Sequence, residues 1–365
     1  MEYLQSIYVF MSIFIIAIVL KKNTALFYLG CLVFTSSLYV VFSPNSKSPG
    51  ETKITTVNEV NGVKVYSEIM STDVLRIQSA KALIIIFVSF LFAFYFKEYG
   101  EKICFYLSLI SSFVVYYNYF LNPRNTTGLC GNTSADGTLL AIMVPFVFSW
   151  ASRRKLSAHL IVLIPLIAIL LTKSSVGIGG FILGAVIYYS LRTVRIVSFK
   201  KWLFLIFIAL VIMTISARIY VGNDFFDDTH RFQAWAFFMK WWAQDIDRVI
   251  FGTGFGTFWA YGPWLQYSKQ FTPHLEIFTF MHNDWFEILF EIGVVGFVLA
   301  FWQYLRGLVN TSRIEIFTSM VVLGACAFFN MPFKYPLSCG ICFLILSMAI
   351  SKEKECHDRN QIEEN

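Results

Sequence analysis

Long runs of apolar residues constrain the fold of this chain more than any other feature. A helix that crosses a membrane needs about 20 consecutive, mostly apolar residues, and hydrocarbon offers no partner to an unpaired backbone group. The runs that approach this description are Leu4–Leu20, Ala25–Ser43, Lys81–Phe96, Ile103–Asn122, Thr138–Ser152, Ala158–Thr172, Val176–Leu191, Trp202–Ala217, Trp285–Leu305, Ile316–Met331 and Pro336–Ile350. They predict an all-α polytopic membrane protein with about 11 transmembrane helices, or 12 if an N-terminal span is missed.

Composition supports a membrane protein over a soluble one. Only 14% of the residues are charged and 57% are hydrophobic, whereas a soluble domain carries about 25% charged residues. So few charges cannot cover a 42.0 kDa globule with a wetted surface. Lipid must cover most of it, and the net charge of +6 does not indicate nucleic acid as a partner.

Basic residues recur in every second connection between the runs. Lysine and arginine mark the cytoplasmic side of membrane proteins, and they follow the odd-numbered runs at Lys21, Lys22, Lys97, Lys102, Arg153, Arg154, Lys155, Arg192, Arg195, Lys200, Lys201, Arg306, Arg313, Lys352, Lys354 and Arg359. This alternation predicts an external N-terminus and an internal C-terminus. It also predicts a single integral membrane domain over 1–350 and a disordered cytoplasmic tail over 351–365.

Two external loops are long, at 44–80 and 218–284. Loops of this length tend to be functional, and the larger one is predicted to contain short amphipathic helices. Arg231, Trp235, Phe238 and Trp242 recur there at helical spacing. Arg231 is either an anchor for lipid headgroups or a phosphate ligand, because a guanidinium fork matches phosphate oxygens.

The same loop contains the sequence GTGFG at residues 252–256, followed by Tyr261 and Trp264. Glycine allows the backbone to turn tightly or to approach a ligand closely. No strand precedes these glycines, so a dinucleotide-binding fold is not indicated. The two aromatic residues are candidates to stack on a sugar.

His282 falls where the large loop re-enters the membrane, with Asn283 beside it and Glu287 and Glu291 one and two helical turns deeper. Carboxylates at membrane depth usually face protein or a water-filled cavity. A histidine near its ordinary pKa can accept a proton at neutral pH. His282 is therefore either a general base or an interfacial residue with a polar tip. Either carboxylate is a candidate to orient His282 or to bond another helix.

Helical periodicity places His282 on one face with Gly293 and Gly296, which predicts close helix contact along that face. On the same predicted side of the membrane, the sequence Lys173-Ser174-Ser175 joins the sixth and seventh runs. Lys173 is either a lysine that snorkels to the interface or a functional cation. Two cations, a base and adjacent lipid favour a lipid-linked phosphate donor as the substrate.

These residues resemble the O-antigen ligase and O-antigen polymerase superfamily of bacterial envelopes. The resemblance lies in the His-Asn pair followed by nine residues and Gly293, the Arg231-x-x-x-Trp235 element, the GTGFG stretch and the LTKSS turn at 171–175. It covers roughly 138–300. It implies a metal-independent membrane glycosyltransferase of lipopolysaccharide or polysaccharide biosynthesis, without a cofactor, in the bacterial inner membrane with its active site facing the periplasm.

The resemblance also implies a substrate pair. Such enzymes take a glycan from undecaprenyl diphosphate and transfer it to a lipid or saccharide acceptor, which is the lipid A core for ligases and another lipid-linked chain for polymerases. By position, Arg231 matches the diphosphate-binding arginine and His282 the activator of the acceptor hydroxyl. Direct attack of that hydroxyl on the anomeric carbon predicts inversion.

One departure from the family concerns the LTKSS turn, where the family often has Ser-Arg and this chain has Ser174-Ser175. Lys173 is the candidate to supply that charge, as a point charge without the guanidinium fork. Ligase activity is the main hypothesis and polymerase activity the alternative. A transporter or flippase of lipid-linked saccharide is the hypothesis from another class, although the chain has no internal repeat.

Overall fold

The computed structural model describes residues 58–60, 63–65, 72–124, 126–154, 156–193, 229–268 and 278–363 of the chain. The α-helices in these ranges are α1 (Thr72–Phe96), α2 (Gly100–Leu121), α3 (Thr133–Ser152), α4 (Leu163–Thr172), α5 (Ser175–Thr193), α6 (Thr229–Trp242), α7 (Ile246–Phe251), α8 (Phe258–Ser268), α9 (Asp284–Asn310), α10 (Ile314–Phe329) and α11 (Pro336–Glu363). Short 3-10 segments, Lys97–Tyr99 and Leu156–Val162, precede α2 and α4.

The predicted all-α class is confirmed, and a short hairpin is the exception among the described residues. Strands β1 (Asn58–Val60) and β2 (Val63–Val65) pair antiparallel, with Asn58 opposite Val65. This hairpin and the start of α1 both lie in the external loop predicted over 44–80.

Four described helical segments are long and apolar enough to cross a membrane: Ile84–Leu121, Thr133–Ser152, Ser175–Arg192 and Asp284–Asn310. Shorter apolar helices cover His159–Thr172, Ile314–Phe329 and Pro336–Ile350. The predicted spans Lys81–Phe96 and Ile103–Asn122 are joined through the 3-10 turn Lys97–Tyr99. The predicted spans Leu4–Leu20, Ala25–Ser43 and Trp202–Ala217 lie outside the described residues.

The described residues fall into two compact units. The single membrane domain predicted over 1–350 stays a prediction. One unit, called the core unit, combines Ile85–Thr229, His282–Asp284 and Tyr304–Asn365 as far as they are described. The other, called the loop unit, combines His230–Met281 and Trp285–Gln303 with the described residues up to Ile84. At the C-terminus, α11 continues to Glu363, through most of the segment predicted as the tail.

Helix α3 is the centre of the core unit. It is apolar on every side, as expected for a helix that other helices surround, and its residues from Ala135 to Ser149 are buried without interruption. Helices α2, α4, α5 and α10 pack around it. The side chain of Asn132 begins the helix by accepting a hydrogen bond from the backbone of Ala135 at 3.0 Å.

Helices α3 and α5 approach each other through glycines. A Cβ atom added at Gly177 would lie 2.7 Å from the carbonyl carbon of Gly137, and one added at Gly180 would lie 3.1 Å from Cβ of Ala141. Small residues let helix backbones come close enough to gain dispersion contacts where lipid leaves no hydrophobic driving force between helices. These positions therefore fix the distance between α3 and α5.

Ion pairs connect the ends of α2, α3 and α10 at one end of the core unit. Arg153, just after α3, lies 3.5 Å from Glu101 at the start of α2 and 3.4 Å from Glu315 at the start of α10. Arg313 contacts the same two carboxylates. The arrangement brings together connections that the charge pattern assigns to one side of the membrane.

The loop unit is held by an aromatic core. Trp235, Phe238 and Trp242 recur along one face of α6 and are buried against Phe258 and Phe290. The spacing predicted for this helix is thus observed, and the face packs on protein. Tyr261, a candidate to stack on a sugar, is buried in the same core, with its ring 5.5 Å from that of Trp241 and 6.3 Å from that of Phe290.

We expect Gly177→Ala to destabilise the folded protein by about 1–3 kcal/mol, because the added methyl group meets backbone that cannot rotate away. The thermal midpoint of the purified protein in detergent measures the effect. Gly340→Ala is the matched control, since the Cβ atom added there meets nothing closer than 3.7 Å. Equal midpoints for the two variants would contradict the close approach of α3 and α5.

Candidate functional site

Lys173 lies in the turn between α4 and α5. Its backbone is left-handed, with φ of 55°, and its N–H donates to the carbonyl of Leu170 at 3.1 Å. The side chain is exposed, while the next residue, Ser174, is buried. The Ser174 hydroxyl accepts a hydrogen bond from Gly177 N at 3.0 Å and so caps α5, whose first residue is Ser175.

His282 occupies the turn that precedes α9. Its backbone is also left-handed, with φ of 53°. The residues on either side, Met281 and Asn283, are fully buried, and His282 itself is half-buried. Because α9 begins only at Asp284, His282 is not part of the helix.

These two turns contain the only non-glycine residues with positive φ in the part of the chain that the structure describes. A side chain in the left-handed region costs about 1–2 kcal/mol, and such positions persist only where the surrounding structure holds them. Both residues were singled out from the sequence for their chemistry. The conformation indicates that the fold holds Lys173 and His282 in place.

Hydrogen bonds within the core unit connect the two turns. The side-chain amide of Asn330, at the end of α10, donates to Ser134 O at 3.1 Å and to the hydroxyl of Thr138 at 2.7 Å. The hydroxyl of Ser174 also donates to Ser134 O, at 3.4 Å. The carbonyl of Asn330 accepts from Asp284 N at 3.3 Å. A continuous set of hydrogen bonds thus joins the residue after Lys173 to the second residue after His282.

Two buried carboxylates anchor the chain around this network. Asp284 accepts a hydrogen bond from Phe333 N at 2.8 Å. Asp136, in the first turn of α3, accepts from Gly128 N at 2.6 Å and from Cys130 N at 2.7 Å. Burial, together with the negative charge of Asp136, raises the pKa of Cys130 to about 12, so its thiol stays protonated at neutral pH.

Glu287 and Glu291 belong to the loop unit, and both are 1% exposed. Glu287 Oε2 accepts a hydrogen bond from the backbone N–H of Met281 at 3.0 Å. Glu291 Oε1 accepts from Phe258 N, the first residue of α8, at 3.1 Å. Both carboxylates therefore accept hydrogen bonds from backbone N–H groups of the loop unit.

Met281, the residue before His282, is fixed through its carbonyl as well. The indole N–H of Trp235 donates to Met281 O at 2.5 Å. Trp235 is the last residue of the Arg-x-x-x-Trp element, and Arg231, the first, lies one turn earlier in α6 and is half-buried. Trp235 and Glu287 thus hold both backbone groups of the residue that leads into the candidate base.

Gly293 interrupts α9, with φ of 68° and ψ of −179°. A Cβ atom added there would overlap the carbonyl of Ile250 and lie 2.6 Å from Gly252 N, and one added at Gly252 would lie 2.6 Å from Gly293 N. The amides of Thr253 and Gly254 donate to the carbonyls of Phe290 and Glu291, at 3.0 and 2.8 Å. The glycines of the GTGFG stretch therefore allow this backbone to lie directly against the backbone of α9.

The interruption corrects one sequence-based expectation. A continuous helical face through His282, Gly293 and Gly296 does not exist, because His282 precedes α9 and Gly293 breaks it. The close contact predicted at Gly293 is present, but with the turn at Ile250–Gly252. A Cβ atom at Gly296 would meet the side chain of Ile292, a residue of the same helix.

Sequence reasoning missed Asn132, Ser134, Asp136 and Asn330. Each is a polar residue at the end of an apolar run: Asn132, Ser134 and Asp136 precede the run Thr138–Ser152, and Asn330 is the last residue but one of the run Ile316–Met331. Their position at helix ends was the available sequence feature, since unpaired backbone groups gather there. Their partners lie far away in the sequence and were not predictable.

The fold and these helix-end networks define a multi-pass helical membrane protein. Residues 126–301 match the model of the O-antigen ligase family. This match supports the O-antigen ligase superfamily for the chain, as the motifs around Lys173, Arg231 and His282 led us to expect. Comparison with curated proteins and with solved structures found no significant match.

The match has a general functional meaning. The family consists of membrane enzymes that act on glycans, with a lipid-linked glycan and an acceptor as substrates. Among the described residues, no group of three or more His, Cys, Asp or Glu side chains is arranged to hold a metal ion. Metal independence remains a prediction from the resemblance.

We expect Glu287→Ala to lower the free energy of unfolding by about 1–3 kcal/mol, because the buried N–H of Met281 loses a charged acceptor. Glu287→Gln retains an acceptor oxygen and should lose less. Thermal midpoints in detergent measure both effects. Asp247→Ala, which removes an exposed carboxylate of the loop unit, is the control and should change stability by no more than about 0.5 kcal/mol. A wild-type midpoint for Glu287→Ala would refute the role assigned to the carboxylate.

Proposed function

We propose that this protein is a glycosyltransferase of the O-antigen ligase type. It transfers a glycan from undecaprenyl diphosphate to an acceptor such as the lipid A core, on the periplasmic face of the inner membrane. The proposal is supported above all by the left-handed backbone at Lys173 and His282 and by the buried hydrogen bonds that connect their turns within the core unit. They support the assignment of Lys173 as the cation and His282 as the base, which are the two groups that the proposed reaction requires.

In the proposed reaction, His282 accepts the proton of the acceptor hydroxyl. The hydroxyl oxygen forms a bond to the anomeric carbon of the donor sugar, and the bond between that carbon and the diphosphate oxygen breaks. The leaving diphosphate takes the bonding electrons and stays attached to its lipid. Attack opposite the leaving group inverts the anomeric carbon.

The leaving group carries negative charge, which nearby positive groups stabilise. Lys173 is the proposed cation in the core unit. It lies two residues before Ser175, the first residue of α5, where the helix dipole adds partial positive charge. Arg231 is proposed as a further diphosphate ligand because of its place in the Arg-x-x-x-Trp element.

His282→Asn tests the proposed base without disturbing the turn. Asparagine tolerates the left-handed region, so the backbone should be kept while the imidazole is lost. We expect transfer to fall by about a hundredfold or more, the usual contribution of a general base. The assay uses purified protein in detergent with a lipid-linked donor and an acceptor. His159→Asn is the matched control and should retain activity. Transfer at the wild-type rate by His282→Asn would rule out His282 as the base.

The same assay separates an enzyme from a transporter, since transfer in detergent needs no second compartment. Ligase and polymerase activities are distinguished in cells that lack the protein. Loss of a ligase removes all polymer from the lipid A core, whereas loss of a polymerase leaves a single repeat attached. A ladder that persists without the protein would contradict both assignments.

Lys173→Gly separates a functional lysine from a structural one. Glycine removes the cost of the left-handed backbone, so we expect the protein to become about 1 kcal/mol more stable. Loss of the charge should weaken donor use by roughly tenfold to a hundredfold, as expected when a hydrogen bond to a charged group is lost. Thermal midpoints and the KM for the donor provide the two measurements. A more stable variant with an unchanged KM would show that Lys173 does not bind the donor.

A further inference from the structure

A cavity of about 560 Å³ lies at the basic end of the core unit, between the start of α2 and the end of α3. Its lining includes Lys102, Arg153 and Arg154, the carboxylate of Glu101, and the rings of Phe105 and Trp150. Small-molecule sites typically occupy about 300–1,000 Å³. The cavity is separate from the turns at Lys173 and His282 and is not used by the proposed reaction.

The charges of this cavity are not balanced. Glu101 is engaged by Arg153 and Arg313, and Arg153 also contacts Glu315. Lys102 and Arg154 are exposed cations in addition to this ion-pair cluster. The cavity therefore presents net positive charge, which favours an anionic ligand.

Aromatic rings hold one of these cations in place. The guanidinium carbon of Arg154 lies 4.4 Å from the ring centroid of Trp150. That ring in turn stacks on Phe105 with their centroids 5.0 Å apart. Stacking of this kind orients a guanidinium, so the Arg154 charge has a defined position at the cavity.

An apolar stripe leads away from the cavity along α2. Tyr106, which lines the cavity, is followed at helical spacing by Ile110, Phe113 and Tyr117, and all four are more than half exposed. The helix belongs to a segment long and apolar enough to cross a membrane. A ligand bound here therefore meets cations at one end and an exposed hydrocarbon-compatible surface beyond them.

We propose that this cavity binds the headgroup of an anionic phospholipid, with the acyl chains lying along the stripe on α2. Basic pockets between transmembrane helices bind such headgroups through their phosphates. The stripe favours a lipid over a soluble phosphate, because a soluble anion gains nothing from the apolar surface. The site is independent of the proposed glycan transfer.

The test measures lipid retained by the purified full chain, using native mass spectrometry with phosphatidylglycerol and phosphatidylcholine of identical acyl chains. We expect the wild-type protein to retain phosphatidylglycerol in several-fold excess. The double variant Lys102→Gln and Arg154→Gln should bring the ratio to about one. The double variant Arg124→Gln and Lys240→Gln removes two exposed cations elsewhere and should keep the wild-type ratio.

Equal retention of the two lipids by the wild-type protein would overturn the proposal, and this comparison decides the question even if a variant does not fold. An undiminished preference in the Lys102 and Arg154 variant would also overturn it. Glycerol 1-phosphate at millimolar concentration is the soluble probe. If it raises the thermal midpoint as much as phosphatidylglycerol does, the ligand is a soluble phosphate and the lipid assignment is wrong.

Discussion

The backbone hydrogen bonds around Met281 and Gly293 are the constraint on which the loop unit depends. Backbone polar groups in apolar surroundings must be paired, and the chain leaves helical geometry at both places. Trp235 and Glu287 bond the carbonyl and the N–H of Met281. The amides of Thr253 and Gly254 bond carbonyls beside the break at Gly293. With these groups paired, irregular backbone is stable next to an apolar helix. The cost of burying the glutamates is offset by the hydrogen bonds that they accept from the backbone.

The core unit applies the same rule at its helix ends. Helix α3 is surrounded by other helices, and the polar residues that accompany it lie at its two ends. Asn330 and Ser174 both donate to the carbonyl of Ser134 at one end, while Arg153 pairs with Glu101 and Glu315 at the other. The first group supports the turns of Lys173 and His282, and the second borders the basic cavity. The two ends thus present different chemistry on one rigid helical centre.

Much of the fold was predictable because membrane spans have a local cause. Each apolar run that falls within the described residues coincides with a helix, since helix formation satisfies the backbone within the segment itself. The face formed by Trp235, Phe238 and Trp242 was predictable for the same reason, because helical periodicity is local. Family motifs identified Lys173 and His282 as candidates. The count of eleven spans went beyond what the four long and three shorter apolar segments establish.

The sequence by itself determined where the helices form, which connections are basic and which residues are candidates for the chemistry. Only the tertiary structure decided that His282 precedes α9 and that Gly293 breaks this helix. It also decided that the backbone of Gly252 packs directly against the backbone of Gly293. It alone revealed Asn330 as the link between the two candidate turns. These features depend on partners between 40 and 196 residues apart along the chain. Such pairings are fixed by packing, because no local propensity encodes the position of a distant backbone.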